Sequence, residues 1–227
     1  DLDTDPSECN DLAGAFPEKL AELIGAWWSE AERHGVLPLD DRTIELFGAR
    51  FRDHSPHPPS RLYRYRPPLS PIPAQASAAI GGRSFELTAR ITREPGQEGV
   101  LWATGTENSG IAVFVQDDRL VVDYNAFDDH KVVVSDIPVP TGNSTLRARF
   151  RRSEPSSGRI AIDIDGRASG EAELALFMQM ISSVGSSIGY DHGSAVSTRY
   201  EAPFRFSGQL HELTIQLITG SQASADD

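Results

Sequence analysis

The chain has 227 residues, of which 39% are hydrophobic, and a formal net charge of −12 at pH 7. This length and hydrophobic content are enough to bury a core, so we expect a folded protein. The negative charge repels phosphate backbones and no basic cluster offsets it, so we expect no nucleic-acid partner. No apolar run approaches the length that crosses a bilayer, and we expect no membrane partner.

The N-terminal region carries signals for two helices. Asp5-Pro6-Ser7-Glu8 predicts the capped start of a short helix that runs to Leu12. Phe16-Pro17 predicts the start of a second helix, and Gly35 predicts its end. An apolar stripe at helical spacing marks the second helix: Leu20, Leu23, Ile24, Trp27 and Ala31, with Trp28 beside it. We expect this stripe to be buried through Leu23 and Trp27, either against the following β-domain or against a domain outside this sequence.

A proline-rich stretch follows the helices. Residues 43–51 could form a short helical turn, and residues 52–59 predict a linker because Pro56, Pro58 and Pro59 disrupt regular structure. His54 and His57 lie in this linker. Two histidines alone are too few for a metal site, so we expect a solvated linker without metal.

From residue 62 onwards the pattern changes to short strands separated by turn residues. Residues 62–65 predict an edge strand, and the close of the chain predicts a long strand over 204–217 with a bulge near His211 and Glu212. Further strands are predicted at 85–91, 100–103, 111–115, 120–124, 132–134, 146–150 and 160–164. Residues 174–181 fit either a helical turn or a buried strand. The pattern predicts a mainly β protein, an antiparallel jelly-roll sandwich preceded by a short helical segment.

The sequence shows little recognisable catalytic chemistry. Residues 185–189 do not match a nucleophile elbow, and there is no phosphate-binding loop. The carboxylate pairs Asp128 with Asp129 and Asp163 with Asp165 could serve glycoside hydrolysis. Asp163, however, alternates with isoleucines on the expected solvent face, and Asp165-Gly166 is typical of a hairpin turn. We therefore expect no catalytic role for these pairs.

Two neighbouring residues of the closing loop remain as site candidates. Asp191 and His192 form the best polar pair because they stand on the loop before the final strand. The simpler interpretation of that pair is a histidine whose hydrogen bonds are made within its own loop.

Cys9 is the single cysteine, which excludes an intrachain disulfide and a thiolate-cluster metal site.

The order of motifs resembles the C-terminal region of bacterial arylsulfatases. The N-terminal part of the resemblance rests on residues 1–8, 10–13, 17–31 and 35–42, which include a tryptophan-rich helix and the run Pro-Leu-Asp-Asp-Arg. The later part rests on residues 63–65, 113–125, 189–196 and 203–208, which are similar to the concanavalin A-like jelly roll that ends many of these enzymes. Together these motifs cover nearly the whole chain.

The resemblance implies hydrolysis of sulfate esters, but in a part of the protein outside this sequence. The family uses a formylglycine made from a Cys-x-Pro-x-Arg motif and a calcium ion held by an α/β domain. Cys9 is followed by Asn10-Asp11-Leu12 and departs from that motif. Calcium and formylglycine are therefore implied for a missing catalytic domain, which is the expected partner upstream in the same polypeptide, and no catalytic, cofactor or metal residue is assigned in this chain.

The resemblance also leads to a domain prediction and two functional hypotheses. We expect a helical tail and linker at 1–59, the jelly roll at 60–219 and a disordered tail at 220–227, as the C-terminal fragment of a longer protein. The first hypothesis is a non-catalytic, structural or substrate-gating appendage of an arylsulfatase. The alternative is an independent glycan-binding module, which usually presents exposed aromatic residues, whereas Trp102 and Tyr124 lie in strands that could bury them.

Overall fold

The computed structural model describes residues 3–7, 9–37, 62–153, 156–179, 181 and 184–218. The chain divides into two compact units, Asp1–Pro58 and Pro59–Asp227. The predicted turn at 43–51, the linker with His54 and His57, and the tail at 220–227 lie outside the described residues. Within the described ranges, no helix combines the length and apolar character that crossing a bilayer requires.

The described residues of the first unit contain one helix, α1 (Pro17–Arg33). Its boundaries confirm the sequence prediction, because Pro17 opens the helix and Gly35, with a φ of 66°, follows its end. The structure leaves most of the apolar stripe exposed, so its burial against a domain outside this sequence stays a prediction. Leu20, Leu23, Ile24, Trp27 and Trp28 are 41–55% exposed, and Ala31 is the buried residue of the helix. Trp27 instead packs edge-on against Trp28, with ring centroids 4.8 Å apart.

The predicted short helix before α1 is also wrong. The described residues between 3 and 12 form turns instead. The carboxylate of Asp5 accepts bonds from the backbone N–H of Asn10 at 2.8 Å and from its side-chain amide at 3.2 Å. Such a side-chain bond to the backbone stabilises a loop in place of the helical bonds that the sequence suggests.

The second unit is a sandwich of two antiparallel sheets. Its strands are β1 (Leu62–Tyr65), β2 (Phe85–Arg93), β3 (Gly99–Thr106), β4 (Ser109–Gln116), β5 (Arg119–Ala126), β6 (Asp129–Val134), β7 (Gly142–Arg152), β8 (Gly158–Ile164), β9 (Arg167–Leu174), β10 (Ser186–Ile188) and β11 (Gln209–Leu217). One sheet has the order β1-β11-β2-β7-β8-β9 and the other β10-β3-β4-β5-β6. This architecture confirms the predicted mainly β, jelly-roll sandwich.

Three hairpins in the sandwich use two-residue turns with positive φ. The turns are Asp117-Asp118 between β4 and β5, Phe127-Asp128 between β5 and β6, and Asp165-Gly166 between β8 and β9. Asp and Gly are favoured in such turns because they tolerate the left-handed region, and Asp165-Gly166 is the turn that the sequence predicts. Phe127 is an exception to this preference.

The final strand, β11, lies between β1 and β2, and the predicted bulge is present between Leu210 and Glu212. The predicted start of this strand at residue 204 is wrong, because β11 begins at Gln209. The backbone of the preceding segment bonds elsewhere: the carbonyl of Phe204 accepts from Val100, and the N–H of Phe206 donates to Gly189. Residues 189–208, here called the closing segment, therefore form no part of β11, and they meet the five-stranded sheet through an isolated bridge between Val100 and Arg205.

The core between the sheets contains the aromatic residues that the sequence predicts to be buried. Trp102 and Tyr124 are both buried there. The strand β9 was not predicted, and the stretch after it is neither helix nor strand over 175–179. Phe177 and Met178 of that stretch are nevertheless buried, and the N–H of Met178 donates to the hydroxyl of Tyr124 at 2.7 Å. Burial raises the pKa of Tyr124 to about 12.

Candidate functional site

The closing segment covers the outer face of the five-stranded sheet. The strands β3, β4 and β5 are buried on both faces almost throughout. On the outer face, Phe114 contacts Tyr200 edge-on at 5.0 Å between centroids, and Tyr200 stacks on Phe204 at 5.2 Å. A saccharide could therefore not lie on the middle of this face while the closing segment is in place.

The two predicted candidates, Asp191 and His192, lie in the closing segment. Asp191 is buried, and its Oδ2 accepts a bond from the hydroxyl of Tyr200 at 2.6 Å and from the N–H of Val196 at 2.9 Å. Burial raises the pKa of the Asp191 carboxyl, although these two bonds and the neighbouring His192 oppose the shift. Both bonds of Asp191 stay within the closing segment, so the carboxylate fixes the shape of that segment.

At the edge of the covered face, three loops enclose a pocket of 530 Å³. The loops are the β3–β4 turn, the β5–β6 turn and residues 195–198 of the closing segment. The lining includes Glu107, Asn108, Phe127, Asp128, His130 and Thr198. We call this site the turn pocket. Its combination of one aromatic ring and several hydrogen-bonding side chains is typical of a ligand site.

A buried asparagine of β5 holds the three loops of the turn pocket together. The side-chain amide of Asn125 donates to the carbonyl of Glu107 at 2.6 Å and to that of Val196 at 3.3 Å. Its Oδ1 accepts the N–H of Asp128 at 2.9 Å. Asn125 is fully buried, so these bonds satisfy a polar group that water does not reach. One side chain therefore sets the spacing of all three loops.

A second buried polar residue, Asp123, fixes the histidine of the turn pocket. Asp123 is fully buried, and its carboxylate lies 2.9 and 3.1 Å from Nδ1 of His130. The hydroxyl of Ser197 donates to the same carboxylate at 2.5 Å. These contacts orient the His130 ring and connect β5, β6 and the closing segment. Ser197 and His130 both bond to Asp123, which differs from the serine-to-histidine bond of a catalytic triad.

Phe127 departs from two ordinary preferences at once. It has a φ of 58°, in a region that bulky side chains rarely adopt, and it is 67% exposed. A turn of this type would be more stable with glycine or asparagine at the same position. Neither backbone preference nor burial in the core explains this phenylalanine.

The carboxylates of the pairs considered from the sequence lie in different settings. Asp163 is buried, which corrects its expected place on the solvent face, because Arg149 from β7 covers it and donates to its Oδ2 at 2.5 Å. Asp165 accepts the N–H of Thr145 at 2.6 Å and stabilises its turn. Asp128 and Asp129 are exposed at the β5–β6 turn.

The described residues offer no metal site, and Cys9 has no reactive setting. No group of three or more His, Cys, Asp or Glu side chains in the described ranges is arranged to hold a metal ion. Cys9 is an exposed free thiol whose Sγ lies 3.7 Å from the carbonyl of Ser7.

Sequence reasoning missed the residues that build the turn pocket. Asp123 and Asn125 are polar residues inside the otherwise apolar strand β5, which is a signal that each needs a buried partner. Their partners Val196 and Ser197 are more than 70 residues away in sequence. The sequence alone therefore could not identify the site that these bonds create.

The sequence matches no protein-family model, and no curated protein matches it. Structures with a similar fold include a mutant of NanB sialidase from Streptococcus pneumoniae, with 12% identity, a TM-score of 0.47, and coverage of 65% of this chain and 24% of that chain. Domains LG4-5 of the mouse laminin alpha1 chain have 19% identity, a TM-score of 0.47, and coverage of 69% of this chain and 41% of that chain. The galectin LEC-6 of Caenorhabditis elegans has 9% identity, a TM-score of 0.41, and coverage of 67% of this chain and 95% of that chain. The chain spans about a quarter of the length of the sialidase. At these identities and TM-scores the similarity carries no argument about function, and the two antiparallel sheets of this chain form a jelly-roll sandwich.

Proposed function

We propose that this chain is a glycan-binding module that holds a neutral saccharide in the turn pocket. The observation that carries the proposal is Phe127, whose exposed ring stands at a strained turn position beside the pocket. Strain and exposure at one residue reduce stability, and such departures from local rules concentrate at functional sites. An exposed aromatic ring offers the apolar face of a sugar a flat surface to stack on.

The polar side chains of the turn pocket supply the hydrogen bonds that a sugar needs. Glu107 and Asp128 can accept hydroxyl protons, and Asn108 can both donate and accept. Asn125 and Asp123 hold the surrounding loops from beneath, so little ordering is required when a ligand binds. The site is thus preorganised in the way that weak saccharide contacts require.

The charge of the site favours a neutral ligand. Glu107 and Asp128 carry negative charge at the pocket, and the whole chain has a net charge of −12. Sulfated or sialylated glycans would meet repulsion from both. We therefore assign neutral oligosaccharides as the ligand class of the turn pocket.

A glycan array that contains neutral, sialylated and sulfated oligosaccharides, followed by calorimetric titration of the best ligand, tests the proposal. We expect binding to neutral glycans and loss of that binding in Phe127→Gly. Glycine tolerates the positive φ, so this variant should be about 1 kcal/mol more stable than the wild type while it fails to bind. Leu176→Ala, which changes an exposed leucine outside the pocket, should bind normally. Unchanged affinity in Phe127→Gly, or no binding by the wild type, would contradict the proposal.

A second candidate is the non-catalytic appendage of an arylsulfatase. The observation that supports it is the exposed apolar stripe of α1, because Trp27 and Trp28 present more apolar surface than a free helix needs. The order of arylsulfatase-like motifs supports it as well. In this proposal α1 packs on a catalytic domain upstream, and calcium and formylglycine belong to that domain. Sequencing the coding region before Asp1 is the test: a Cys-x-Pro-x-Arg motif there supports the candidate, and a preceding region without it refutes the candidate.

A further inference from the structure

A second cleft of 710 Å³ lies where β6 approaches the β8–β9 hairpin. Small residues form part of its lining: Ala161, Gly166, Ala168 and Gly170. Their short side chains leave space between the polar groups of the cleft. We call it the edge cleft, and none of its lining residues belongs to the turn pocket.

Asp163 lines the edge cleft with a carboxylate that is only half satisfied. Its side chain is 4% exposed, and Oδ2 is paired with Arg149 at 2.5 Å and Arg147 at 3.6 Å. The other oxygen, Oδ1, is buried and has no hydrogen-bond partner among the described residues. A buried carboxylate oxygen without a donor is unfavourable, so the site is suited to a ligand that brings one.

The backbone around Asp163 is irregular in a way that shapes the edge cleft. Asp163 pairs with Ala168 and Ala161 pairs with Glu171, so β9 carries one extra residue between these pairs. Such bulges at sheet edges redirect side chains and often border binding sites. The bulge is held in place by Ser169, whose carbonyl and hydroxyl accept the N–H groups of residues 136 and 137 at 2.8 and 3.1 Å. The cleft is therefore a fixed feature of this edge.

The charges of the edge cleft determine which kind of hydrogen-bond donor Asp163 favours in a ligand. Three carboxylates line it, Asp136, Asp163 and Glu171, together with Arg149, and Arg147, which is not a lining residue, lies 3.6 Å from Oδ2 of Asp163. Glu171 is paired with Arg159 at 2.8 Å, whereas the Asp136 carboxylate has no ion pair among the described residues. A positively charged donor gains more from this setting than a neutral hydroxyl, because charge-assisted bonds are stronger.

We propose that the edge cleft binds a small organic cation through an ammonium group that donates to Oδ1 of Asp163. The small residues Ala168 and Gly170 leave room for the carbon skeleton of the ligand. Arg149 remains on Oδ2, so the ammonium group adds a bond without displacing one. This site is separate from the turn pocket and does not depend on saccharide binding there.

The test is an NMR titration of the whole chain with 1-butylammonium chloride, and with 1-butanol as the uncharged probe of the same shape. We expect saturable shifts of the amide signals of Asp163, Ala168 and Gly170, with a dissociation constant of about 1–10 mM for so small a probe. Asp163→Asn should weaken binding at least tenfold. Ala168→Leu should weaken it to the same extent by filling the cleft, while it leaves the ion pairs of Asp163 intact.

Asp129→Asn is the matched control, because it removes a charge from an exposed position of β6 outside the cleft. It should bind the ammonium probe as the wild type does. Butanol binding as strong as butylammonium, absence of saturable shifts, or wild-type affinity in folded Asp163→Asn would overturn the proposal. If Asp163→Asn fails to fold, wild-type affinity in Ala168→Leu has the same consequence.

Discussion

Replacement of Asn125 by alanine should destabilise the sandwich by about 2–5 kcal/mol. The variant loses bonds to Glu107, Val196 and Asp128. The Val196 carbonyl belongs to a fully buried residue and would stay unsatisfied, at a cost of about 1–3 kcal/mol. The other two groups lie in exposed turns and can turn to water, so each contributes about 0.5–1 kcal/mol.

Urea titration followed by tryptophan fluorescence measures this loss. Asn143→Ala is the matched control, because its Oδ1 accepts a bond from Thr92 at 2.6 Å on the exposed surface. That variant should stay within about 0.5 kcal/mol of the wild type. The Asn125 variant should also lose saccharide binding, because its loops are no longer held at one spacing. A loss below about 1 kcal/mol, or equal losses in both variants, would refute the role given to Asn125.

Three further predictions concern the buried side chains of Asp191 and Tyr124 and the hydrolysis of an aryl sulfate. Asp191→Asn keeps an acceptor but removes a buried charge. Because burial raises the pKa of Asp191 above its ordinary value of 3.8, the wild type loses stability as pH rises through that raised pKa. Urea titrations at a series of pH values above 3.8 should therefore show the stability of the variant increasing relative to that of the wild type as pH rises. Tyr124→Phe leaves the buried N–H of Met178 without an acceptor and should cost about 1–3 kcal/mol in the same titration. In a p-nitrophenyl sulfate assay with added calcium, the wild type and His192→Ala should be equally inactive, and turnover lost in the variant would make the closing segment an active site.

Period-two patterns predict most strands of the sandwich, but β9 escapes them. Its sequence, Arg-Ala-Ser-Gly-Glu-Ala-Glu-Leu, contains no β-branched or aromatic residue, and only tertiary pairing with β8 makes it a strand. Burial of the outer face of the five-stranded sheet is easier to recognise from the sequence. The strand β3 reads Gly-Val-Leu-Trp-Ala-Thr-Gly-Thr, without a charged residue, and such a run is typical of a strand buried on both faces.

The candidate sites were less predictable than the fold. Phe127 can be recognised from the sequence as an unusual turn residue, but only once the β5–β6 hairpin is placed. The environment of Asp163 depends on Arg147 and Arg149 from the neighbouring strand, which alternation along β8 alone does not reveal. In both cases the local pattern identifies the element, whereas long-range pairing determines what surrounds the side chain.

The position of β11 has a consequence for synthesis on the ribosome. Among the described strands β11 is the last to emerge, yet it fills the place between β1 and β2, which emerge first. Until residue 217 has left the exit tunnel, β1 has no strand partner and one edge of β2 stays open to other chains. The six-stranded sheet can therefore close only after translation of the whole domain, and a nascent chain stalled before Gln209 should depend on chaperones that shield the open edge of β2.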